Sequence, residues 1–282
     1  MIAYSQGIVE LFIAVIIGIC FDRAQMIISA FNYESLYNGF GAVELTVKRN
    51  IKAPMAYRVL VPYLVVWIEK LFKTSERMRV IIYQHIKTLL VIFAAWAVIH
   101  SFGYLVAGIT FIILVATIQF DYWDWPIELA AISLAAGGFF IPALFAGILF
   151  ALTRETAPIT GVIYLAMTGD WIGAIIITSV IGLIMLTVRL YVGKRELYCK
   201  RVMLKENYAS LKDFFKYKPI YFSPIFVTSA IVIGTVVSVI VNPQYWYSLV
   251  LLGAGLVLAK ADEPRIFSAI IPFIAVAIGG LI

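Results

Sequence analysis

The chain has 282 residues, 63% of them apolar or aromatic and only 13% charged, with a mean hydropathy of +0.98. Soluble domains carry roughly 25% charged and about 45–50% apolar residues, so this composition excludes a soluble fold and leaves nothing over for a soluble catalytic domain. The net charge of +6 points to loops facing anionic lipid, not to nucleic acid.

The expectation is an all-α, polytopic transmembrane helix bundle of about 8–9 spans, one domain over residues 1–282. Gly7 to Phe21 forms a first apolar run interrupted only by Glu10. It lacks a basic leader and a small-residue cleavage site, and bulky Ile19 argues against lipoprotein processing at Cys20, so it reads as a retained helix. Cys20 and Cys199 form neither a metal spacing nor a disulfide framework. Asp22 to Met55 reads as an ordered outer loop with interfacial helices, from its mixture of Phe31, Tyr33, Tyr37 and Phe40 with Glu34, Glu44, Lys48 and Arg49. The outer segment extends to about residue 80. Within it, Arg58 to Phe72 has an uncharged stretch of ten residues, Val59 to Ile68, against the 17–25 that a span needs. It is therefore expected to lie at the interface, with Leu60, Leu64, Ile68 and Phe72 at helical spacing.

Spans are expected near Ile81–Ile99, Phe102–Phe120, Ile127–Gly137, Phe139–Leu152, Trp171–Tyr191, Pro224–Val241, Leu249–Ala259 and Phe267–Ile282. The pair flanking Gly137-Gly138 is either two tilted helices with a tight turn or one broken helix. Ala157–Thr168, short and containing Pro158 and Gly161, fits a re-entrant segment. Gly193 to Lys218 holds eight Lys or Arg against three acids, which makes it cytoplasmic by the positive-inside rule. Counting back places Arg154, Glu155 and the loop Asp121 to Pro126 on the outer face.

Three polar groups stand out: Asp22-Arg23; Asp121 to Pro126 followed by Glu128; and Thr153-Arg154-Glu155-Thr156. A charge at helix centre costs about 2.5–3.5 kcal/mol, so such charges are paired or functional. Arg154 is sharpest, since no other Lys or Arg lies between Lys87 and Arg189. Adjacent helix positions point about 100° apart, so Arg154 and Glu155 each need a partner or a ligand. The plain readings stand beside these. Asp121 and Asp124 also suit solvated loop acids, Glu128 suits a helix-dipole acid, Arg154 suits a structural pair with Glu128 or an Asp, and Asp22 suits a helix-end acid. His85 and His100 lie too far apart to form a metal motif.

Tyr57-Arg58-Val59-Leu60-Val61-Pro62, the acidic helix start Asp121 to Leu129, Thr153-Arg154-Glu155-Thr156-Ala157, and Glu263-Pro264-Arg265-Ile266-Phe267 with Pro272 follow one another in that order. The chain thereby resembles polytopic prokaryotic membrane proteins similar to GT-C-type glycosyltransferases. The resemblance implies a plasma-membrane enzyme that moves a sugar from a polyprenyl-phosphate carrier to an acceptor at the outer face, with an acid after the first helix at the catalytic centre. By position that acid is Asp22, joined by Asp121 and Asp124 as catalytic acids, with Arg58, Arg154 and Glu155 binding substrate. A carboxylate serves as base or holds a divalent cation, and Arg offers a planar fork to phosphate. The rival readings are a transporter or flippase for a lipid-linked or anionic substrate, and a non-catalytic membrane subunit.

Overall fold

A computed structural model describes residues 2–30, 59–75, 78–117, 124–193, 224–258 and 268–280. Among them the chain forms eleven α-helices and no strand: α1 Ile2–Ala30, α2 Leu60–Phe72, α3 Arg79–Phe102, α4 Tyr104–Thr117, α5 Asp124–Ala136, α6 Phe140–Ala151, α7 Ile159–Thr168, α8 Trp171–Val192, α9 Pro224–Val241, α10 Tyr247–Leu258 and α11 Ile271–Gly279. Two of them, α3 and α8, are long and apolar enough to cross a membrane. Most of the remaining described helices are apolar but shorter. Arg58, Asp121, the interfacial segments expected over 31–58, the basic loop beyond Gly193 and the Glu263 motif lie outside the described residues.

The chain divides into two compact units, Met1–Ser101 with Gln119–Tyr198, and Phe102–Ile118 with Cys199–Ile282. In the first unit every residue of α5 is buried. Beyond Glu128 the helix is almost wholly apolar and so is enclosed, and the small residues of Ala130-Ala131 and Ala135-Ala136 let α6 and α7 pack closely on it. Gly137-Gly138 resolves into two helices joined by a tight turn. Gly138 has φ +76°, its N–H donates to Ala135 O at 3.1 Å, and Phe139 N–H donates to Leu134 O at 3.1 Å. This is the Schellman pattern, which calls for a left-handed residue at that point.

The expected re-entrant segment is α7, a ten-residue helix packed antiparallel on α8. Gly161 lies where any Cβ would meet Thr178 Oγ1 at 2.1 Å and Ala174 O at 2.9 Å, while Gly173 faces Tyr164. Asp170 caps α8 by accepting from Gly173 N–H at 3.0 Å. Helices α5 to α8 thus run alternately up and down between two ends of the unit.

Helix α1 corrects the boundary expected at Phe21. It continues through Asp22 to Ala30, because Ala24 to Ala30 contains no Gly or Pro and Asp22 has a buried partner. Against α3 it packs antiparallel. His100 Nδ1 meets Glu10 Oε2 at 3.0 Å, a Cβ on Gly18 would lie 2.5 Å from Ile92 Cγ1, and Lys87 Nζ meets Asp22 Oδ1 at 3.2 Å. Rising numbers on one helix match falling numbers on the other.

Helix α2 buries Val61, Pro62 and Val65, not the stripe ending at Phe72, which is exposed. Val61 and Val65 pack on Tyr83 and Ile86 of α3, with Leu64 and Ile68 at the edge. Arg79 Nη2 donates to Glu69 Oε1 at 3.2 Å and so joins the two helices a second time.

The second unit gathers α4 and α9 around α11. The Phe273 ring sits 5.2 Å from Tyr247, 5.3 Å from Tyr245 and 5.7 Å from Phe102. Ser238 Oγ donates to Phe273 O at 2.7 Å.

Candidate functional site

The polar residues of the first unit collect at its two ends. At one end Asp124 opens α5 and Glu128 follows one turn later. Positions i and i+4 share a helix face, so both carboxylates point the same way, and both are buried. Opposite them, α6 stops at Ala151. Thr153 and Arg154 N–H both donate to Phe150 O, at 2.9 and 2.8 Å, and the Thr153 hydroxyl donates there as well. This tight stop aims Arg154 back at α5. Its Nε lies 3.3 Å from Asp124 Oδ2, and its Nη1 donates to Glu128 Oε2. Asp124 Oδ1 also accepts from Trp125 N–H at 3.1 Å.

Two carboxylates thus hold one guanidinium whose side chain is 9% exposed. The structural pairing of Arg154 is therefore present, and it involves both candidate acids, not one. Next along the chain, Glu155 is half-buried, and its Oε1 is shielded from solvent with no hydrogen-bond partner. Ala151, Arg154, Glu155, Met185, Val188 and Arg189 line a pocket here with about 10 Å³ of room, enough for one water at most.

Asp22 belongs to the same end of the unit. The ring of Phe21, one residue earlier, lies 5.2 Å from Trp125, one residue after Asp124. Asp22 itself is paired with Lys87 across α1 and α3. It lies inside a helix and not in the loop beyond one, because a buried acid with its own cation is tolerated inside a packed unit. The Tyr57–Pro62 motif also arrives here through its described part: Leu60 N–H donates to Leu152 O at 3.2 Å, and Tyr63 packs edge-on against Tyr191 at 6.4 Å. Arg58 and Asp121, outside the described residues, take no position in this geometry.

One topological expectation is overturned. Arg154 and the basic loop were placed on opposite faces, yet Arg189 lines the pocket of Arg154 only four residues before Gly193. The loop therefore begins at the Arg154 end. Helix α7, packed antiparallel on α8, brings the end of α6 and the end of α8 to the same end of the unit.

The opposite end holds a pair the sequence reading passed over. Glu10, 7% exposed, meets His100, whose ring lies 5.2 Å from Trp96 and 4.3 Å from Phe139. Gln6 Nε2 approaches the other Glu10 oxygen at 3.4 Å. A signal existed, since Glu10 was the one charge interrupting the first apolar run. Among the described residues no three His, Cys, Asp or Glu gather as a metal site. No family model, curated protein or solved structure matches the chain.

Proposed function

We propose that this chain is a multi-pass protein of a prokaryotic plasma membrane that transfers a sugar from a polyprenyl-phosphate carrier, as GT-C-type glycosyltransferases do. Its chemistry would reside at the Arg154 end of the first unit. The observation that carries the reading is convergence. Asp124 and Glu128 from α5, Arg154 and Glu155 from the turn after α6, and Arg189 from α8 come from separate elements to one small volume.

The roles follow from chemistry. A departing lipid phosphate needs a fixed cation, and the Arg154 fork supplies it. An attacking hydroxyl needs a carboxylate acceptor, and Asp124, Glu128 and Glu155 all lie beside that fork. Asp22, tied to Lys87, supports the wall on which Asp124 stands. The seam between the two polar ends favours an enzyme over a transporter. At Gly18 and Ile92 the α1 and α3 backbones leave no room even for a methyl group, so no polar path joins the ends along it.

Membranes containing the chain, supplied with radiolabelled undecaprenyl-phosphate-linked hexoses, test the reading. Label should leave the carrier with the wild type, while Arg154→Lys and Glu155→Gln should slow this about 100-fold. A wild type that consumes none of the carriers would end the transferase reading.

A further inference from the structure

We infer that the turn end of the α2–α3 hairpin docks on anionic phospholipid headgroups at the Arg154 end of the first unit. The inference rests on the membrane setting of the proposed reading and not on its chemistry.

The position of the hairpin follows from its contacts. Leu60, which starts α2, donates to Leu152 O two residues before Arg154, and Tyr63 meets Tyr191 near the end of α8. From there α2 runs along α3 toward its start, with Val61 and Val65 on Tyr83 and Ile86, then Glu69 on Arg79. Lys87, paired with Asp22, stands eight positions after Arg79, so α3 carries the hairpin about 12 Å past the level of Asp22. Trp125 at the start of α5 shares that level through its contact with Phe21. The second half of α2 therefore projects beyond the short helices.

That half presents apolar bulk and one sign of charge. Trp67, Lys70 and Leu71 stand three and four positions apart and share a face, and Phe72 and Lys73 follow. All five are exposed, Trp67 by 59% and Phe72 by 69%. The acid among them, Glu69, is taken up by Arg79, whose Nε donates to Oε2 and whose Nη2 donates to Oε1 at 3.2 Å. Lys70 and Lys73 set the net charge of the surface, since the next two charges in the sequence, Glu76 and Arg77, cancel.

Lys73 adds a second signal. It holds φ +51° and is the one non-glycine residue at positive φ among those described. Thr74 N–H donates to Glu69 O at 3.1 Å across it, a helix stop at which glycine is the usual residue. Glycine would serve the turn better, so the ammonium group answers to something outside it. An anionic bilayer surface answers to every one of these features. Tryptophan and the apolar side chains settle at the acyl boundary, and the lysines extend to the phosphodiesters.

Brominated lipid chains quench a tryptophan that they touch, so Trp67 reports on this patch. The purified full chain and its Trp67→Phe variant are placed in phosphatidylcholine bilayers doped with brominated phosphatidylglycerol or brominated phosphatidylcholine, and the difference between the two chains isolates Trp67. Trp67 should prefer the brominated phosphatidylglycerol about 25-fold, and Lys70→Gln or Lys73→Asn should each reduce this to about fivefold. Asparagine suits the left-handed position, so the second variant keeps the turn. The wild type in high salt, which needs no variant, should lose most of the preference. Equal quenching by the two lipids, or a preference that neither salt nor the double variant reduces, would overturn the inference. Quenching by neither would overturn it too, because protein, such as a second copy of the chain, would then cover the patch. A chain that enters bilayers of neither composition would remove the membrane setting itself. Each outcome is read without sugar transfer, so the transferase chemistry stands or falls separately.

Discussion

Lys87 shows what a single buried charge does in this chain. It stands 5% exposed in the apolar run of α3, and its partner Asp22 is 6% exposed. Removing one member of such a pair strands the other, which costs about 3–5 kcal/mol, whereas replacing both with apolar groups is close to neutral. Lys87→Met is therefore expected to lower the detergent-denaturation midpoint sharply, and Lys87→Met with Asp22→Leu to recover most of it. Tryptophan fluorescence during titration with dodecyl sulfate reads both, and equal losses in the single and double variants would mean that the residues are not coupled. The residue types of the site were legible. The isolation of Arg154 demanded a partner, and Glu128 or an Asp was named for it, whereas Asp124 was read within a loop and instead opens α5. The partners of Glu10 and Asp22 were not legible, because they lie 90 and 65 positions away, on a helix whose register nothing local fixes.

At the scale of elements, the turn at Gly137-Gly138 governs how α5 and α6 lie together. Gly138 holds a left-handed backbone with φ +76°, which costs an L-residue about 1–2 kcal/mol. Gly138→Ala should destabilise the first unit by that amount, read by the same titration. Gly108→Ala, with open space around it, should leave stability unchanged or slightly improved. If the two substitutions behaved alike, the turn would not depend on glycine. Helix positions were largely legible for this reason: Gly, Pro and charge mark the ends of most elements. One boundary was misread on the same rule. Asp22 was taken as a stop although a paired acid need not end a helix.

For the whole molecule, the shared pocket of Arg154 and Arg189 sets the expected sidedness. Cysteines at Thr156 and Ser210 should react with an impermeant thiol reagent from the same face of the membrane, and one at Thr168 from the opposite face. The positive-inside rule, applied to the charge of 193–218, predicts that the shared face is cytoplasmic. Thr156 labelling together with Thr168 would overturn the arrangement. The short helices carry one more consequence. At 1.5 Å per residue, α5, α6 and α7 stand about 15–20 Å tall, whereas α3 and α8 reach about 33–36 Å, and the hydrocarbon of a bilayer is about 30 Å thick. Helices α6 and α7 nevertheless present Ile141, Phe145, Val162 and Leu165 outward. In the proposed membrane setting, lipid along that wall faces a hydrophobic mismatch and must thin to meet it. The leaflet surface would then dip toward the Arg154 cluster, and the proposed lipid-borne phosphate would meet the guanidinium without leaving its own layer.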